Sequence, residues 1–162
     1  YVSDPLHKLN ITPNMVTWFS IFLNLVIYYL FKQNKTKLVV VVIIFHYFLD
    51  CLDGFMARKY KQYSVFGDYL DHISDNVFIA NIVYQLYKHN SFNNFKWKMI
   101  IYSCFVLLML VHLGCQEKLS NNKKSPSLSP TKKLCYNTNW IKYSRYFGPG
   151  TLAIILSLLI IN

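Results

Sequence analysis

The length of its apolar blocks limits the fold of this 162-residue chain more than any other feature. Hydrophobic residues make up 54% of it and charged residues 15%, and the apolar residues run in blocks instead of alternating. A helix needs about 20 largely apolar residues to cross a bilayer. Five segments come near that length: 15–32 ("MVTWFSIFLNLVIYYLFK"), 38–57, 66–87, 97–115 and 143–161, the last broken early by "GPG". Polar connectors separate them: "QNKTK", "RKYKQYS", "KHNSFNNFK" and a long loop over 116–138. The stretch "NNKKSPSLSPTKK" inside that loop has the composition of a disordered segment. "LCYNTNWIKYS" has room for a sixth, shorter span. The expected fold is an all-α, polytopic membrane bundle of five to six transmembrane helices, forming one domain over 1–162. The polar start, "YVSDPLHKLN", carries no secretory signal pattern.

Net charge is +10, from 17 Lys and Arg against 7 Asp and Glu. No basic helix with interleaved aromatics stands clear of the apolar blocks, so nucleic acid is not an expected partner. Anionic lipid head groups are. With the N-terminus inside, the inner connectors hold 11 of the 17 Lys and Arg and the outer ones 6. That bias predicts a cytosolic N-terminus and a cytosolic 116–138 loop. The four cysteines, Cys51, Cys104, Cys115 and Cys135, show no CxxC pairing and read as free thiols packed like small hydrophobes.

Five of the seven acidic residues fall within 50–75: Asp50, Asp53, Asp68, Asp71 and Asp75. On a helix, Asp50 and Asp53 share a face, and so do Asp71 and Asp75. The short turn between the second and third segments makes these helices antiparallel neighbours, so the two acidic faces can meet. Carboxylates converging at a low-dielectric edge repel unless a cation stands among them. Hard divalent ions with oxygen ligands meet that need, Mg²⁺ above all where phosphates are present, and two ions suit four carboxylates better than one. Asp68 reads as an ordinary interfacial acid. Gly54 and Ala57 leave room for close approach beside the acids, Gly67 opens the third segment, and Arg58 is placed to hold a phosphate. His46 and His112 read as helix-packing histidines, and Arg145 as an anchor at the inner membrane face or a partner for a phosphate.

These residues spell Asp50-x-x-Asp53-Gly54-x-x-Ala57-Arg58, eight residues, then Gly67-x-x-x-Asp71-x-x-x-Asp75. The pattern resembles the signature of the class I CDP-alcohol phosphatidyltransferases, with every fixed position present. "ITPNMVT" at 11–17 is similar to the start of that family's first spanning helix. The resemblance implies a membrane enzyme in which an alcohol attacks a CDP-linked substrate and CMP leaves, with Mg²⁺ or Mn²⁺ as cofactor. It implies two ions held by Asp50, Asp53 and Asp71, with Asp75 sharing in metal binding and acting as general base. It also implies a CDP site shaped by Gly54, Ala57, Arg58 and Gly67, approached by Asn14 and Thr17. It further implies a homodimer in the membrane, while the charge bias puts the acidic cluster at the cytosolic mouth of the second and third spans.

The alcohol stays open. His72 after Asp71 is similar to the "DH" of choline and ethanolamine phosphotransferases, which use CDP-choline or CDP-ethanolamine with diacylglycerol. The short chain is closer to enzymes that use CDP-diacylglycerol with a polar alcohol. Two readings of another kind compete: a membrane cation transporter, since intramembrane acids also mark ion paths, and a catalytically inactive, lipid-binding relative.

Overall fold

The computed structural model describes residues 2–119 and 129–161. It is all-α, and the chain divides into two compact units, Tyr1–Lys88 and His89–Asn162.

The first unit holds α1 (Ser3–Lys8), α2 (Pro13–Lys32), α3 (Thr36–Lys59) and α4 (Val65–His89). Thr12 caps α2, its hydroxyl accepting from the Met15 N–H at 3.4 Å, and Pro13 takes the first helical position, where its missing N–H costs nothing. Helices α1, α2 and α3 all end the same way. Asn10, Asn34 and Lys61 adopt left-handed φ of 58°, 55° and 55°, and the next N–H turns back onto the carbonyls of Leu6, Leu30 and Ala57. Such caps satisfy helix-end carbonyls and reverse the chain within a few residues. They fold α2 and α3 into an antiparallel pair around Val16, Leu23, Leu49, Leu52 and Met56, with Leu6 of α1 against them.

The buried stripe of α2 contains Thr17, Ser20 and Asn24, while Trp18, Phe22 and Leu25 face outward. Val16, Leu23, Ile27 and Phe31 share that stripe, but a helix in water would not also turn a row of large apolar side chains outward. That row is what a lipid surround requires. Among the described residues, four stretches are long and apolar enough to cross a membrane: Pro13–Lys32, Thr36–Lys59, Asn93–Leu119 and Thr138–Ile161. The chain is an integral membrane protein. The expected third span differs: α4 has the length, at 25 residues, but Asp68, Asp71, His72 and Asp75 make its first half too polar. No separate sixth span forms in 134–144, where the chain makes short helical turns instead.

A surface cluster ties the N-terminus to the end of α3. The Asp4 carboxylate accepts from Lys59 Nζ and from the Tyr60 hydroxyl, both at 2.6 Å, and the His7 ring stacks on Tyr60 at 3.8 Å. The Lys59 hydrogen bond first, then that of Tyr60, lowers the Asp4 pKa from 3.8 to about 2. A carboxyl depressed in the folded state contributes fully above its ordinary value, and that contribution is lost as pH falls through the lower one. The melting temperatures of wild type and Asp4→Asn in detergent should therefore converge between about pH 4 and pH 2. The difference should also shrink in high salt, since the pair is exposed. A gap that stays constant through that window would mean Asp4 acts other than by charge.

The second unit is built on α5 (Phe92–Leu119). A 3-10 helix, Ser129–Leu134, lies along α5 so closely that a Cβ on Gly114 would overlap the Thr131 carbonyl. Glu117 pairs with Lys132 at 3.4 Å, and His112 Nδ1 meets the Ser144 hydroxyl at 3.1 Å. Two observations correct the sequence reading. Cys115 and Cys135 form a disulfide, leaving Cys51 and Cys104 as the free thiols. Spacing could not show this, because the 3-10 helix brings together residues 20 apart. Part of the loop read as disordered, 121–128, lies outside the described residues, and its remainder from Ser129 is helical. The chain then passes through 3-10 turns and the four-residue α6 (Ile141–Ser144) to α7 (Pro149–Ile161), which starts at the "GPG". The Arg145 guanidinium lies over the Tyr146 ring and donates to its hydroxyl at 2.8 Å.

Candidate active site

The turn between α3 and α4 sets the site. After the left-handed Lys61, Ser64 caps α4: its hydroxyl accepts from the Gly67 N–H at 3.0 Å and its carbonyl from the Asp68 N–H at 3.1 Å. The last turns of α3 thus stand beside the first turns of α4. Asp50, Asp53 and Asp71 each present an oxygen within 4.8 Å of the others. Asp53 is only 5% exposed, and its Oδ2 accepts from the buried Thr17 hydroxyl at 2.6 Å, which ties α2 to the cluster.

Asp75 lies outside that trio, within electrostatic range of its three members. Asp68 is also outside it and within range of Asp71. The glycines have identifiable neighbours. A Cβ on Gly67 would sit 2.7 Å from Asn14 Oδ1, so only glycine lets Asn14 of α2 approach the start of α4 this closely. A Cβ on Gly54 would lie 3.2 Å from Arg58 Nη1: the Arg58 guanidinium folds back over Gly54 and acts on Asp53, while its side chain stays exposed. Ala57 is half-buried in the last turns of α3, and its carbonyl receives the Gln62 N–H. His46 stacks on Phe78 at 4.3 Å, as a packing histidine does.

Sequence reasoning missed Ser64, which sets where α4 begins, and the buried polar side chains Ser20, Asn24 and Ser74. A signal was present for two of them: Ser20 and Asn24 follow Thr17 at three and seven residues, on one helical face.

Three carboxylates this close, with no histidine or thiol among them, form an oxygen-only donor set. Such a set fits a hard divalent cation such as Mg²⁺ or Mn²⁺ and not a thiophilic metal. The model of the CDP-alcohol phosphatidyltransferase family matches residues 10–138, a stretch that takes in every residue of the cluster. The chain belongs to this family. Within the CDP-alcohol phosphatidyltransferases, it is 37% identical over 68 residues to CDP-diacylglycerol–inositol 3-phosphatidyltransferase 1 of Arabidopsis thaliana, covering 42% of this chain and 30% of that one. It is 32% identical over 83 residues to the archaetidylinositol phosphate synthase of Pyrococcus horikoshii, covering 51% and 44%. The chain thus spans less than half the length of these curated relatives. No solved structure matches it.

Proposed function

We propose that this chain transfers a substituted phosphate group from a CDP-alcohol to an acceptor alcohol with release of CMP. CDP-diacylglycerol is the proposed donor and an inositol-type alcohol the acceptor. The observation that carries the reading is the convergence of Asp50, Asp53 and Asp71 within 4.8 Å in a chain of this family. The names of the relatives favour inositol over choline or ethanolamine.

Asp50, Asp53 and Asp71 would hold the divalent metal, two ions by family likeness, with Asp75 at the margin. Bound there, the metal neutralises charge on the phosphate oxygens, the main demand of phosphoryl transfer. Arg58 is exposed and flexible enough to leave Gly54 and fork onto a phosphate of the CDP group. Asn14, Thr17, Gly54, Ala57 and Gly67 form the nucleotide side of the site. Asp75, outside the trio, takes the proton of the acceptor hydroxyl. The hydroxyl oxygen bonds to the phosphorus distal to cytidine, the bond from that phosphorus to CMP breaks, and the proton passes from Asp75 to water. Residues 1–162 are proposed to act as one functional domain and to work as a homodimer.

Thr17 orients Asp53 through a short buried bond. Thr17→Val keeps the shape and removes the donor. It should weaken Mn²⁺ binding and lower kcat/KM by about 10- to 100-fold, the usual loss when a residue supporting a metal ligand is removed. Unchanged Mn²⁺ affinity would dissociate Thr17 from the metal site.

The 11-to-6 charge bias favours a cytosolic site. The Cys115–Cys135 bond pulls the other way for the 116–138 loop, because disulfides persist in oxidising compartments. CDP-alcohol offered outside sealed, right-side-out vesicles should remain unused until the vesicles are opened. Use by sealed vesicles would place the site outside.

The transporter reading is set against the enzyme by one assay. Purified protein with a CDP-alcohol, an acceptor and Mg²⁺ or Mn²⁺ should release CMP and form a phosphodiester identifiable by mass. Cation flux without CMP release supports the transporter, and neither outcome supports an inactive lipid-binding relative.

A further inference from the structure

Just before α7, the second unit turns a row of aromatic side chains outward. Tyr136, Trp140, Tyr143 and Tyr146 are 95%, 58%, 76% and 61% exposed. The other side of the same stretch is fastened to α5: Cys135 through its disulfide, Ser144 through His112, and Phe147 beside the Phe105 ring at 6.1 Å. Three exposed cations, Lys133, Lys142 and Arg145, are interleaved with the rings. Lys133 and Lys142 have no ion-pair partner among the described residues, and Arg145 engages Tyr146. No Asp or Glu occurs from 118 to 162, so nothing within the stretch balances these charges.

Neither bulk solvent suits such a face. In water it would leave four large rings unburied side by side, and in hydrocarbon its cations would be costly. The boundary between the two suits it: rings with polar tips gather at head-group level, and cations meet lipid phosphates there. The backbone sets the same depth. Thr138–Ile161 has the length and mean hydropathy of a span, yet 138–147 is made of 3-10 turns around the four-residue α6. Gly148 is then extended, with ψ of 177°, before α7 begins at Pro149. Lipid-exposed helical backbone inside the hydrocarbon has to be continuous, so that its N–H and C=O groups pair internally. In this stretch only α7 meets that condition.

We propose that residues 136–147 lie along the membrane interface instead of crossing it, and that this face docks anionic phospholipid. The rings sit among the head groups, and Lys133, Lys142 and Arg145 bond to phosphate oxygens, Arg145 with a fork that fits two of them. A zwitterionic lipid offers the same phosphate but brings an ammonium that the three cations repel, so the face selects net negative lipid. The inference goes beyond the transferase reading and does not depend on it.

The test reads the fluorescence of Trp140 in the full chain, with Trp18→Phe and Trp97→Phe removing the other two of its three tryptophans. The protein is placed in phosphatidylcholine vesicles doped with brominated phosphatidylserine or brominated phosphatidylcholine, the bromines set either high or low on the acyl chain. Shallow bromines should quench Trp140 more than deep ones. Brominated phosphatidylserine should act at a mole fraction about tenfold or more below that of brominated phosphatidylcholine. Lys133→Gln, Lys142→Gln and Arg145→Gln should each cut that preference by about fivefold at low salt. High salt should cut it without any substitution, which keeps the test independent of how the variants fold. Stronger quenching by deep bromines would mean that 138–147 crosses the hydrocarbon, and overturns the interfacial placement. Equal action of the two lipids, or a preference indifferent to salt, overturns the anionic class. Quenching by aqueous acrylamide but by neither lipid puts the face in water, and protection from all three means that a protein partner covers it; either result overturns lipid docking.

Discussion

Asp50→Asn, Asp53→Asn and Asp71→Asn should each lower turnover by about 10³-fold or more, while Asp68→Asn stays within a few-fold of wild type. The three carboxylates occupy one 4.8 Å cluster, so on the proposed function each substitution would remove one of three protein ligands and leave the other two too weak to hold the ion in place. Metal-borne charge stabilisation supplies several kcal/mol to the transition state, and every 1.36 kcal/mol is tenfold in rate. Asp68 stands outside the cluster, so its loss changes the local field but no ligand. Mn²⁺ binding should fall in step with turnover in the three severe variants. A loss at Asp68→Asn equal to theirs would show that the ligand set has been misassigned.

The second large effect separates proton transfer from substrate holding. Asp75→Asn should lower kcat by about 10²–10⁴-fold, the usual worth of a general base, with Mn²⁺ binding near wild type. The position of Asp75 outside the three-carboxylate cluster is what distinguishes it. Arg58→Lys should instead raise the KM for the CDP substrate, by about tenfold, because an ammonium cannot fork onto two oxygens. If Asp75→Asn lost Mn²⁺ as fully as Asp50→Asn, Asp75 would be a ligand and the base would lie elsewhere.

Much of this was legible in the sequence because membrane helices and clustered acids leave strong one-dimensional signals. Asp50 and Asp53 at a spacing of three, and Asp71 and Asp75 at four, follow directly from helical geometry, and the connector "RKYKQYS" forced the two faces together. Spacing alone could not rank the acids: Asp71 joins the cluster while Asp75 does not, a difference that depends on how α4 is rotated against α3. Nor did the sequence reveal that α4 is less apolar than a span requires, since its charged half and its greasy half average out by eye. The disulfide was hidden because it depends on the Ser129–Leu134 turn folding back on Gly114. The buried stripe of Thr17, Ser20 and Asn24 was readable in principle, but polar residues within an apolar run are easily taken as incidental until their partners are known.

The most direct test of the central claim is the metal dependence of CMP release by the purified chain with CDP-diacylglycerol and inositol. The account predicts CMP and a phosphatidyl-inositol phosphodiester in equal amounts with Mg²⁺ or Mn²⁺, none under chelation, recovery on adding metal back, and none from Asp53→Asn under any condition. CMP release that persists under chelation, or that survives in Asp53→Asn, would contradict a metal site built from Asp50, Asp53 and Asp71.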